Sequence, residues 1–249
     1  MRFLPAGDLA VSVELGDEIS REVNARVLAL EYLIQQKGLP GVLETVPTFR
    51  SLLVYYDPFV VGYEELVAAL TALVPEARPE VLPPARTVEI PCCYGGELGF
   101  ELEAAARRLG LTPEEMARLH ASGDYYVYFV GFSPGGAYMT GMPERLTIPR
   151  LETPRTKTPV GSVGIGGVQC YIYPVESPGG FWVLGRTPLR LYDPTSADPT
   201  LLRPGDRVRF RPVDRAEFDA IAAAVAAGTY HPRIEEGSAR PLPSGERAG

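Results

Sequence analysis

Glycine and proline supply 20 of the 64 residues from Gly131 to Pro194, out of 51 in the 249-residue chain. Glycine admits backbone angles that other residues avoid, and proline locks φ while removing an amide donor. A stretch so rich in both is either a linker or a tightly bent scaffold. Interleaved apolar residues, among them Tyr138, Ile148, Val163, Ile165, Tyr171, Tyr173, Phe181 and Trp182, argue for the scaffold, because disordered segments lack such content. The segment holds six Lys and Arg against four Asp and Glu, whereas the whole chain carries −7. A local +2 against −9 for the remainder marks a cationic patch on an acidic protein, and function is expected there.

The acidic balance, with a pI near 5.1, argues against nucleic acid or an anionic membrane as a partner. No apolar run approaches the roughly 18 residues that a membrane span needs. Met1-Arg2-Phe3-Leu4-Pro5 lacks the apolar core of a signal peptide, so a cytoplasmic location is expected. Cys92, Cys93 and Cys170 show no Cys-x-x-Cys spacing and read as buried thiols in a reducing compartment.

Along the chain, Leu9, Val11, Val13 and Leu15 alternate as in a half-buried strand, and Ile19, Val23, Val27, Leu30 and Ile34 recur at helical spacing. Two strands, 42–46 and 51–56, and a helix near 63–73 follow. This β-α-β-β-α order, with a further strand expected after it, is that of a small ferredoxin-like α+β unit. Pro75, Pro79, Pro83 and Pro84 mark a linker, which sets an N-terminal domain at 1–84. Beyond it come a strand at 88–91, a helix at 102–109, and a second helix opened by the capping box Thr112-Pro113-Glu114-Glu115. Short β-rich runs at 125–130, 168–174, 181–184 and 207–210, separated by Gly/Pro turns, suggest a barrel or a sandwich. A closing helix spans 214–227, a second domain is therefore expected over 85–234, and the polar residues 235–249 read as a disordered tail.

Gly131-Phe132-Ser133-Pro134-Gly135 matches the Gly-x-Ser-x-Gly elbow of hydrolases in letters only. The residue after that serine must lend an amide to the oxyanion hole, and Pro134 has none. Gly161-Ser162-Val163-Gly164-Ile165-Gly166-Gly167 is either an anion-wrapping loop or a tight turn with close backbone packing. It is neither a Walker loop nor Gly-x-Gly-x-x-Gly. Arg150, Arg155 and Arg186 stand beside prolines or glycines, and a guanidinium suits bidentate grip of carboxylate or phosphate. Each is alternatively half of an ion pair across a barrel rim. His120, ending its helix, is a cap, a core histidine or a proton-transfer group. No His/Cys/Asp/Glu cluster has metal-ligand spacing, so no metal site is expected.

Taken together, His120, Tyr126 to Gly135, Pro149-Arg150-Leu151-Glu152-Thr153-Pro154-Arg155, Gly161-Ser162-Val163, Tyr173-Pro174, Ser177-Pro178-Gly179-Gly180 and Gly185-Arg186-Thr187-Pro188 form one motif series. It resembles the B-subunit family of 5-oxoprolinase, also called KipI-like or allophanate hydrolase subunit 1, over about residues 2–212. The resemblance implies an α/β domain followed by a cyclophilin-like β-barrel. It implies one component of an ATP-dependent enzyme that opens the lactam of 5-oxoproline to glutamate. The activity then needs the two other components, a KipA-like C subunit and an A subunit, with the ATP site shared with a partner. Inhibition of a sporulation-type histidine kinase is the alternative. Family motif positions map to His120 and Tyr138 as catalytic or pocket-shaping groups, and to Arg150, Arg155, Ser162, Gln169, Tyr173 and Arg186 as substrate-binding groups. The Ser162 loop is expected to donate backbone amides. Phe100-Glu101 stands where the family has Pro-Asp, and Gln169-Cys170-Tyr171-Ile172 where a Gln-Thr-Gly-Ile run is usual; the lost Asp and Thr are expected to alter ligand contacts.

Overall fold

A computed structural model describes residues 1–237. The chain divides into a unit of Met1–Ala85 with Gly237 and a unit of Arg86–Glu236.

The first unit runs β1 (Arg2–Pro5), β2 (Ala10–Glu14), α1 (Arg21–Lys37), β3 (Val42–Pro47), β4 (Ser51–Tyr56) and α2 (Tyr63–Leu73). Ser20 starts α1 by accepting the Val23 amide, and Gly38, at φ 57°, ends it in the left-handed region open to glycine. The sheet is antiparallel in the order β1-β2-β4-β3. Alternation drives one of its faces inward: Val11, Val13, Leu52 and Val54 are buried with Val27, Leu30, Leu66 and Leu70 of the helices. Each such side chain contributes roughly 1.5–3 kcal/mol on burial. The strand expected after α2 is not there. The chain instead makes two 3-10 turns, Val74–Glu76 and Pro79–Val81, and β1 takes the sheet edge beside β2.

The second unit contains β5 (Arg86–Tyr94), α3 (Leu102–Leu109), α4 (Pro113–Ala121), β6 (Tyr125–Val130), β7 (Ala137–Thr140), β8 (Arg155–Thr158), β9 (Ser162–Gly166) and β10 (Gln169–Ile172). It continues with β11 (Ser177–Gly179), β12 (Trp182–Arg186), β13 (Arg207–Pro212), α5 (Arg215–Ala226) and β14 (Ile234–Glu236). Seven strands in the order β12-β9-β10-β7-β6-β13-β5 close on themselves through β12–β5 pairing, so the fold is mixed α/β with a closed barrel and five helices among the described residues. Closure removes the sheet edges that an open sandwich would leave, apart from the short β14 paired to β5. That strand takes Glu235 and Glu236 out of the expected disordered tail, and the rest of that tail, beyond Gly237, lies outside the described residues. The interior is packed by Val88, Ile90, Val127, Met139, Ile165, Ile172 and Leu184. One buried ion pair ties β5 to the entry of β13: Arg86 donates to both Asp206 oxygens at 3.0 and 2.6 Å, and Asp206 also accepts the Arg203 amide.

The β8–β11 ribbon pairs only within itself, outside the barrel sheet.

Candidate ligand-binding face of the barrel

Strand parity sorts the candidate residues. On β10, Cys170 and Ile172 belong to the barrel core while Tyr171, and Tyr173 two residues on, belong to a separate cluster with Phe181 and Tyr138. On β7, Ala137 and Met139 point inward and Tyr138 outward. Tyr138 stacks on Phe129 at 4.6 Å and meets Tyr171 at 4.9 Å, and Tyr171 meets Tyr173 at 4.9 Å. The result is a tyrosine-rich outer wall.

The glycine run 161–167 proves to be a strand and its turn. Val163 and Ile165 fill the interior, and Gly164 and Gly166 face outward under Phe181 and Arg150. A Cβ on Gly166 would stand 2.8 Å from Arg150 Cγ, so glycine is what lets Arg150 and Phe181 lie flat on the strand. The expected amide donors are already engaged: Gly161 donates to the Tyr173 carbonyl and Ser162 to that of Pro159. What remains free at Ser162 is its hydroxyl.

The three arginines differ. Arg150 lies 4.4 Å over the Phe181 ring and donates to Gln169 Oε1 at 2.8 Å. Arg155 donates to Glu101 Oε1 and to the Phe181 carbonyl, each at 2.5 Å. Glu101, which the motif series leaves out of the site, also accepts the Val183 amide at 2.7 Å. The Phe-Glu departure therefore keeps a carboxylate and assigns it to Arg155. The signal for Glu101 lies in that departure, a carboxylate displaced in kind and not lost. Arg186 has no carboxylate partner among the described residues, and burial, then the charge of Arg215, lowers its pKa.

Six side-chain atoms among the described residues are shielded from solvent without a hydrogen-bond partner: Arg155 Nε, Thr158 Oγ1, Ser162 Oγ, Tyr173 Oη, Ser177 Oγ and Arg186 Nε. All six belong to the ribbon or to the wall beside it. Burial raises the pKa of Tyr173; the Phe181 backbone, Arg155, the Thr158 hydroxyl and Arg150 oppose it, though that hydroxyl stays outside hydrogen-bond geometry. Tyr138 is raised by burial, and Tyr171 is pushed up to about 12, again chiefly by burial. All three phenols are thus protonated at neutral pH.

His120 is elsewhere. It is fully buried inside the barrel, with Nδ1 2.7 Å from the Tyr94 hydroxyl and Nε2 3.5 Å from Cys170 Sγ, ringed by Tyr125 and Phe210. The barrel wall separates it from Tyr138, and burial pushes its pKa down to about 3. It is a neutral core histidine. Ser133 shares a hydrogen bond with Tyr171 at 2.9 Å and has no histidine beside it, so the elbow motif carries no triad; Phe132, at φ 66°, forms its corner. No group of three or more metal-ligating side chains occurs among the described residues. No helix there is long and apolar enough to cross a membrane.

This closed barrel, with its arginine- and tyrosine-lined outer wall, belongs to a class that sequence comparison defines: residues 1–202 match the family model for the carboxyltransferase domain, subdomain C and D. Two curated relatives, each named as the B subunit of 5-oxoprolinase, are similar over most of their length. The one from Bacillus subtilis is 39% identical, covering 86% of this chain and 93% of its own. The one from Escherichia coli O157:H7 is 38% identical, covering 83% and 93%. The crystal structure of TTHA0988 superposes with a TM-score of 0.73 at 38% identity, over 82% of this chain; the chain spans only 40% of that longer one. The chain belongs to the B-subunit family of 5-oxoprolinase.

Proposed function

We propose that this chain is the B subunit of an ATP-dependent 5-oxoprolinase, working in the cytoplasm with a KipA-like C subunit and an A subunit. The observation that carries the reading is the outer wall of the barrel in a member of this family: tyrosines and arginines face outward there, and neither Arg150 nor Arg186 has a carboxylate partner among the described residues. Opening a lactam breaks amide resonance, and a phosphorylated intermediate accounts for the use of ATP. The sequence has neither a Walker loop nor Gly-x-Gly-x-x-Gly, so a partner supplies the nucleotide site. That TTHA0988 carries the matching segment as 40% of a longer chain supports a division of labour with adjoining domains.

In this reading the first unit is a ferredoxin-like domain whose fourth edge position is filled by β1, and the second is a cyclophilin-like barrel. Arg150, presented by Phe181 and Gln169, and Arg186 attract the anionic groups of substrate and intermediate. Arg155, already neutralised by Glu101, fixes the geometry of the ribbon. Tyr138 shapes the wall as a neutral donor. His120 supports the barrel from within. The test is reconstitution: with all three components, 5-oxoproline and ATP, glutamate forms, and omission of this chain abolishes it. Robust glutamate formation by this chain alone would overturn the shared-site reading.

A further inference from the structure

We propose that Tyr173, Ser162 and Arg186, roofed by Thr158 and Ser177, form a receptor for one small carboxylate. The register builds it. Arg186 on β12 lies opposite Ser162 on β9. The β9–β10 pairing that sets Val163 against Ile172 continues to Ser162 and Tyr173, whose amide donates to the Ser162 carbonyl. The three side chains therefore stand in one row on the outward face. On the ribbon, Thr158 faces Ser177, and Gly179 lies directly against the Tyr173 hydroxyl, so the ribbon lies over that end of the row.

Each of these five residues holds an unpartnered polar atom shielded from solvent. Thr158, Ser162 and Tyr173 are at most 1% exposed. Buried polar atoms in folded proteins are almost always bonded, so a row of them calls for a ligand. Its chemistry follows from the atoms. Arg186 Nε can only donate, and the four hydroxyls can all donate at once. Of the two carboxylates paired to the ribbon, Glu101 is occupied by Arg155 and the Val183 amide, and Glu176 by Lys157. The complement is an acceptor-only group. Because Glu101 neutralises Arg155, Arg186 is the one guanidinium standing in the row, with Arg150 acting on Tyr173 from beyond it; a monoanionic carboxylate matches that single charge in the row better than a phosphoryl dianion. Entry requires the ribbon to lift. This deepens the oxoprolinase reading and rests on it for which carboxylate binds, not for the receptor itself.

The test uses the full chain alone, with thermal unfolding and calorimetric titration. The probes are 5-oxo-L-proline, 2-pyrrolidinone (the same lactam without the carboxylate) and inorganic phosphate. The variants are Ser162→Ala and Thr158→Val. 5-Oxo-L-proline is expected to raise the melting temperature, while the other two probes leave it unchanged. Without ligand, both variants are expected to melt above the wild type, because an unpaired buried hydroxyl is gone, and to bind 5-oxo-L-proline at least ~10-fold more weakly. Variants that melt below the wild type would show hydroxyls with structural partners and overturn the receptor. Tighter binding of phosphate than of 5-oxo-L-proline, or no binding of 5-oxo-L-proline, would do the same. Binding without glutamate formation in the reconstituted assembly keeps the receptor and removes the reaction. Undiminished glutamate formation with both variants keeps the reaction and removes the receptor.

Discussion

Replacing His120 with glutamine removes a buried imidazole while leaving an oxygen to accept from the Tyr94 hydroxyl. In the unfolded chain the imidazole takes a proton near pH 6.5; inside the barrel burial pushes its pKa down to about 3. Between those values the unfolded state binds more protons than the native state, so stability falls as pH falls. The contribution is complete above about pH 6.5 and erodes below it, with a slope approaching about 1.4 kcal/mol per pH unit. Over about two units, from pH 6.5 to 4.5, that amounts to roughly 2–3 kcal/mol. Urea unfolding followed by circular dichroism, at half-unit pH intervals, measures it in wild type and His120→Gln. Carboxylates titrate in both proteins and cancel in the difference. The wild type should lose stability faster on acidification, and the variant should lack that excess slope. Parallel curves, or a native imidazole resonance titrating near pH 6.5, would refute the placement of His120 as a sealed neutral group.

Three further outcomes are expected. In Gly179→Ala the new Cβ would stand 2.0 Å from the Tyr173 hydroxyl and 2.6 Å from its ring, so the ribbon must shift; thermal unfolding should show a loss of about 1–3 kcal/mol, partly recovered by adding Tyr173→Phe. Asp206→Ala strands the Arg86 guanidinium and the Arg203 amide at a site where Asp206 is 4% exposed; denaturant midpoints should report a cost of about 3–5 kcal/mol. Cys92 and Cys170 have thiols raised by complete burial, and Cys93 is raised as well, again chiefly by burial. All three should resist an aromatic disulfide reagent at pH 8 until the chain is unfolded.

What can be read in the sequence is local. The Thr112–Glu115 capping box forms as written, with both reciprocal bonds present. The helix at 63–73 lies where its pattern puts it. The strands without a sequence signal carry little pattern of their own. β1 is four residues long, and β9 alternates glycine with Val163 and Ile165, so its period-two signal reads as a loop. Tyr138, Tyr173 and Arg150 lie on one outer wall, while Arg155 lies on the ribbon beside it. Their individual states are out of reach, because each depends on a partner distant in sequence: Glu101 for Arg155, Phe181 for Arg150, and no carboxylate among the described residues for Arg186. Motif alone groups His120 with Tyr138; strand parity turns Tyr138 to the wall, and the packing of α4 buries His120 against Tyr125 and Phe210. Ser177 enters the sequence only through its Ser-Pro-Gly-Gly motif, and its place opposite Thr158 arises from the ribbon register.

The most direct test of the account is ATP-dependent glutamate formation by the assembly reconstituted with wild-type chain or with Arg186→Met. Losing one charge-assisted contact to an anionic substrate costs about 2–3 kcal/mol, a drop of roughly 30- to 150-fold in kcat/KM. The account predicts activity that requires this chain and falls by that factor in the variant. A wild-type rate with Arg186→Met would contradict it.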